Sequence, residues 1–199
     1  MAHNIHGKMV YSFEQPMWHG LTAPSLVPMS AEEILDERFG GGFDVQLRAP
    51  LLELNGEMRE TGDFGIVRTA SPYDPNETLF GWCSDRYTPL QPREVARAFD
   101  ENVRQPAETM AFLGNGNDMF ISWMLPSFQV DGDRVDPYGI VRTGFSTLKG
   151  TRLFTSAFRP VCSNTITLAE GWANKNTEGG NQGMIWKGKG VSKNLLRDL

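Results

Sequence analysis

Gly65-Ile66-Val67-Arg68-Thr69 recurs residue for residue as Gly139-Ile140-Val141-Arg142-Thr143, an offset of 74. Leu79-Phe80 recurs as Leu153-Phe154 at the same offset. Both pentapeptides are rich in β-branched residues, which favours strands. A second apolar segment follows each one. A shared offset of this kind predicts a strand–strand–helix unit that appears twice. Coincidence between two strands of similar composition is the plainer alternative.

Around the first copy, Phe43, Val45 and Leu47 alternate with Asp44, Gln46 and Arg48, the period of a half-buried strand. Asn55-Gly56 is a turn signal. Phe64–Thr69 and Thr78–Tyr87 read as further strands. Ser30 with Glu33 forms a capping box ahead of Ile34, Leu35 and Phe39, and Gly40-Gly41-Gly42 stops that helix. A second helix begins at Pro92 and ends before Pro106. Residues 30–105 therefore read as helix, three strands, helix. Further on, Thr109–Leu113 and Met119–Leu125 flank a Gly/Asn turn, and Tyr138–Thr143 and Arg152–Phe158 are strands. Asn164–Trp172 fits strand or helix.

The expected fold is α+β, an antiparallel sheet with helices on one face and 43–105 and 119–173 as candidate half-repeats. An irregular arm (1–29) precedes the α+β domain (30–173). A basic segment rich in Gly, Asn and Lys (174–199) follows it.

Of 199 residues, 40% are hydrophobic and 22% charged, which excludes a coiled coil, collagen and wholesale disorder. No apolar run reaches the roughly 18 residues of a membrane helix, and the first residues lack a signal-peptide pattern. Cys83 and Cys162 make neither a disulfide framework nor a zinc site, so a reducing cytoplasm is the expected location. The net charge of −5 hides an asymmetry. Residues 1–100 hold 8 Lys+Arg against 15 Asp+Glu, whereas residues 140–199 hold 9 against 3. Such a split is a hint of a polyanionic partner. Docking of the basic part on acidic surface explains it equally.

Signals for catalysis are weak. His3, His6 and His19 match no metal spacing, and Gly-x-Ser-x-Gly, His-Glu-x-x-His and phosphate-loop motifs are absent. Asp131, Asp133 and Asp136 have the residue types for a hard cation, but Asp-Gly-Asp is also ordinary turn chemistry. Cys162 would need a base, and His19 is the only candidate. The expectation is a protein without catalytic residues, metal or cofactor. An enzyme using Cys162 or Asp131, Asp133 and Asp136 is the outlying alternative.

Binding single-stranded nucleic acid takes cations for phosphates and flat side chains for bases. Arg142, Lys149, Arg152, Arg159, Lys187, Lys189 and Lys193 supply the first, and Trp186 the second. Lys149-Gly150 suits a backbone approaching a phosphate. A solvated basic face with its tryptophans packed inside is the alternative.

Four motifs in order carry a resemblance: Met1-Ala2-His3-Asn4-Ile5, Trp18-His19-Gly20-Leu21, Asp85-Arg86-Tyr87-Thr88-Pro89-Leu90-Gln91, and Arg159-Pro160-Val161-Cys162-Ser163-Asn164-Thr165. Together they resemble the phage/plasmid-like protein family, a domain of unknown function found on bacteriophages and plasmids. Pro160 departs from the β-branched residue more usual there, and many relatives continue beyond the point where this chain stops. The helix–three strands–helix order is also similar to the core of phage single-strand annealing proteins, which oligomerise and hold single-stranded DNA in a basic groove. The family resemblance brings no established activity and implies a mobile-element protein acting in a bacterial cytoplasm; the fold-level likeness to the annealing proteins, with the charge split, leads to the expectation of a homo-oligomer that binds single-stranded DNA in recombination, replication or repair. A module that inhibits a host defence or regulatory protein through its acidic residues 30–101 is the competing expectation.

Overall fold

The computed structural model describes residues 4–17, 20, 22–147, 149–175 and 184–186. Thirteen strands and three helices are placed among them. A six-stranded antiparallel sheet, ordered β1-β7-β8-β11-β12-β13, forms the centre. Its strands are β1 (Ile5–Ser12), β7 (Thr109–Leu113), β8 (Asp118–Met124), β11 (Tyr138–Gly144), β12 (Thr151–Ser156) and β13 (Met184–Trp186). A three-stranded sheet joins β2 (Val45–Arg48), β5 (Phe64–Arg68) and β6 (Thr78–Cys83). Two hairpins stand apart, β3 (Leu51–Leu54) with β4 (Glu57–Glu60), and β9 (Phe128–Val130) with β10 (Asp133–Val135).

The α+β class is as expected, but five strands lie between the two helices rather than three: β2, β5 and β6 are the expected ones, and the β3–β4 hairpin is inserted between β2 and β5. Ser30 and Glu33 form the capping box, starting a single turn α1 (Ala31–Glu33) that runs on as a π-helical turn over Ile34–Arg38. Gly40, Gly41 and Gly42 all have positive φ and end it. α2 (Pro92–Val103) starts where the Gln91 side chain donates to the Val45 carbonyl and accepts from its amide, at 2.8 and 2.9 Å. That pair of bonds pins the helix to β2. Asn55 and Gly56, with φ of 56° and 81°, make the turn between β3 and β4.

Both copies of the repeated pentapeptide lie in the middle strand of a three-strand group. β5 is flanked by β2 and β6, and β11 by β8 and β12. A helix follows each group, α2 after the first and α3 (Ser163–Lys175) after the second. The repeated arginine is withdrawn from solvent both times. Arg68 is fully buried, donates to Asp74 and Thr78 and lies over the Phe43 ring, while Arg142 faces two carboxylates described below.

Two expectations are corrected. Helices cover both faces of the main sheet, not one. On one face Met110, Phe112, Met119, Ile121, Trp123 and Val141 pack against Ile34, Leu35, Val95 and Phe99. On the other, Ala111, Phe120, Ile140 and Phe154 pack against Ile166, Ala169 and Ala173 of α3. Residues 1–29 are also not wholly irregular, because β1 pairs with β7 along the edge of the main sheet. Met9 and Tyr11 enter one core and Val10 the other, so β1 is apolar on both faces and shows no alternation. Its register also shifts between Ile5 and Val10, around Gly7 at φ 56°. Of the expected basic segment 174–199, only the backbone of residues 174–175 and 184–186 is described.

Candidate functional site

Three of the predicted cations converge at one end of the α3-covered face. Arg142 on β11 stands directly opposite Arg152 on β12. Like charges facing each other across a ladder repel, so this pairing needs counter-charge. Glu170 of α3 supplies it, 2.7 Å from Arg142 and 3.7 Å from Arg152. Asp118, the first residue of β8, lies opposite Gly144, one diagonal step from Arg142 on the same face. Its carboxylate accepts from Arg142 Nη2 at 2.6 Å and Arg142 Nε at 3.2 Å. It also accepts from Lys149 Nζ at 2.7 Å. Gly144 makes the last contact feasible, since a Cβ there would sit 2.4 Å from Lys149 Cβ.

These groups line a cavity of about 150 Å³ together with Gly144 and Gly150. Three cations face two carboxylates, a local balance of +1. Access differs sharply between them. The Asp118 side chain is 3% exposed, whereas those of Lys149 and Arg152 are 47% and 43% exposed. Burial works against the charge on Arg142, but Asp118 and Glu170 outweigh it and hold its pKa above the ordinary arginine value. The arrangement presents two half-exposed cations, backed by a mostly buried guanidinium, beside glycine backbone. That is chemistry for an oxyanion such as a phosphate.

Arg159 is not part of this cavity. It pairs with buried Glu108 at 2.8 Å and donates to the carbonyls of Phe13 and Gln15 at 2.9 and 3.1 Å. Its guanidinium ties the loop before α3 to the end of β1. The same loop is held by Thr109, which donates to the Pro160 carbonyl at 3.0 Å, and by Thr165, which accepts from the Val161 and Cys162 amides. Cys162 is buried there. Trp186 closes β13 opposite Thr151. Lys187, Lys189 and Lys193 lie outside the described residues. Asp136 is turned onto Ser127 and Arg134 at 2.5 and 2.8 Å. Among the described residues no three His, Cys, Asp or Glu side chains gather in a way that could hold a metal ion. No described helix is long and apolar enough to cross a membrane.

Sequence reading missed Asp118 and Glu170, the two residues that organise the cavity. Asp118 follows Gly114-Asn115-Gly116-Asn117 and looks like one more turn residue. Glu170 is the lone acid of α3, and nothing local marks its partners.

Fold and site together define an α+β protein whose chemistry-bearing feature is a charged cavity of about 150 Å³ between sheet and helix. A family model described as a domain of unknown function (DUF932) matches residues 80–178, from within β6 to just past α3, and so takes in the whole cavity. No curated protein matches the chain, and no solved structure does.

Proposed function

We propose that this is an oligomeric DNA-binding protein of a phage or plasmid, acting on single-stranded DNA in recombination, replication or repair. One observation carries the reading: Arg142, Lys149 and Arg152 meet at a cavity edged by two glycines, with the two outer cations near half exposed. A backbone phosphate would take Lys149 and Arg152 as direct partners and Arg142 as fixed support. The +6 balance of residues 140–199 supports the same partner. Arg159 plays no part in this site; its role is to hold the fold.

A salt-dependent anisotropy titration on a labelled single-stranded oligonucleotide tests the proposal. Affinity should fall log-linearly with salt. Joint Lys149→Ala and Arg152→Ala substitution should reduce the slope by about 1.4, roughly 0.7 for each single-strand phosphate that is no longer neutralised. Absence of binding at low salt, or an unchanged slope in the double variant, would remove the cavity from any DNA site.

A further inference from the structure

The cavity at Arg142 holds charges of both signs, and the two signs are built differently. Its carboxylates belong to the wall: the Asp118 and Glu170 side chains are 3% and 15% exposed, and each accepts from Arg142, at 2.6 and 2.7 Å. Its accessible cations, Lys149 and Arg152, each already face one of those carboxylates, at 2.7 and 3.7 Å. Among the described residues no fourth cation lines the cavity. An entering anion therefore meets a surplus of one positive charge, not of three.

An anion gains attraction in proportion to its charge, but the cost of stripping its water rises with the square of that charge. A site with a surplus of one favours an ion that carries one. A singly charged oxyanion leaves Arg142, Lys149, Arg152, Asp118 and Glu170 neutral as a set. A doubly charged one leaves the set at −1, with its second charge held beside two buried carboxylates. Volume limits the occupant further. A cavity of about 150 Å³ takes a group of about the size of benzene and has no room for a nucleoside. The oxyanion enters, and the rest of its molecule stays outside.

We infer that Asp118 and Glu170 act as a charge filter: the cavity accepts a singly charged phosphodiester and rejects a doubly charged phosphomonoester. The interior of a strand then qualifies, while mononucleotides and phosphorylated strand ends do not. The inference deepens the function proposed above, and it takes from that reading only that the cavity is a phosphate site.

Dimethyl phosphate and methyl phosphate, titrated into the full chain at constant ionic strength, test the filter, with the amide resonances of Gly144 and Gly150 as the readout. Near neutral to mildly alkaline pH, dimethyl phosphate should shift both resonances saturably. It should bind at least about threefold more tightly than methyl phosphate, the effect of one unit charge roughly 6 Å away at the dielectric of water. The second pKa of a phosphomonoester is about 6, so at about pH 5.5 methyl phosphate is mostly singly charged and should approach dimethyl phosphate. Dimethyl phosphate keeps its charge throughout and reports any change in Asp118, Glu170 or the three cations facing them. Asp118→Asn and Glu170→Gln each raise the surplus from +1 to +2 and should improve methyl phosphate more than dimethyl phosphate, removing the preference. Either variant suffices if the other fails to fold. Lys149→Ala/Arg152→Ala should abolish both shifts. Absence of binding by either anion, methyl phosphate binding as tightly as dimethyl phosphate above pH 7, or a preference unchanged in the carboxylate variants would overturn the inference. Small anions are read without DNA, so the filter can fail while the oligonucleotide titration succeeds, and the reverse.

Discussion

Replacing Asp118 by Asn separates a phosphate site from a purely structural ion-pair network. The Asp118 carboxylate is 3% exposed and serves both Arg142, at 2.6 Å, and Lys149, at 2.7 Å. Removing one partner of a buried pair costs roughly 3–5 kcal/mol. Here the cost is smaller. Arg142 keeps Glu170 at 2.7 Å, Lys149 can turn to water, and Asn retains an acceptor oxygen. About 2–3 kcal/mol of destabilisation is expected. In a chain of this size that lowers the melting temperature by about 4–12 °C. Affinity for single-stranded DNA should move the other way. The cavity balance rises by one positive charge. A unit charge at roughly 6 Å is worth about 0.7 kcal/mol even at the dielectric of water, or about threefold in affinity. The salt slope should steepen by up to about 0.7 as one more cation becomes free to meet a phosphate. Thermal melts and oligonucleotide titrations on the same preparations measure both. A variant that melts earlier but binds no tighter would show that the cluster is closed to phosphate. Unchanged stability would contradict the burial of the pair.

Three further outcomes follow from the same geometry. Gly144→Ala should weaken oligonucleotide binding to about the level of Lys149→Ala, because its Cβ would displace the Lys149 stem; binding equal to wild type would detach Lys149 from the cavity. Arg159→Ala should cost about 3–4 kcal/mol in urea unfolding by stranding buried Glu108, yet leave the salt slope of the folded protein unchanged. Burial first, and the nearby Arg68 charge second, hold the His6 pKa below 6.5, so the unfolded chain takes up that proton before the folded one does. Stability should therefore fall as the pH drops through 6.5. His6→Gln should flatten the dependence between about pH 7 and pH 5, and an equal slope in the variant would exclude His6 as its source.

Parts of this fold are plain in the sequence for simple reasons. β2 lines one core on a single face and alternates accordingly, and α1 and α2 carry their caps in adjacent residues. The repeated Gly-Ile-Val-Arg-Thr marks two middle strands with equivalent neighbours. β1 and α3 are less legible because both are apolar on opposite sides, which erases the period that each element would otherwise show. The cations of the cavity can be read from residue type. Their neutralisation cannot, since Asp118 and Glu170 stand 24 and 28 residues from Arg142.

By itself the sequence determined the α+β class, both helices and three of the five strands of residues 30–105, the charge split and the candidate cations. Local periodicity, caps and residue charge settle those matters. Only the tertiary structure decided that Arg142, Lys149 and Arg152 share one cavity while Arg159 is a brace. It also placed α3 on the second face of the sheet. Register across the β8-β11-β12 ladder and the seating of α3 choose which charges meet, and both arise from packing between distant segments.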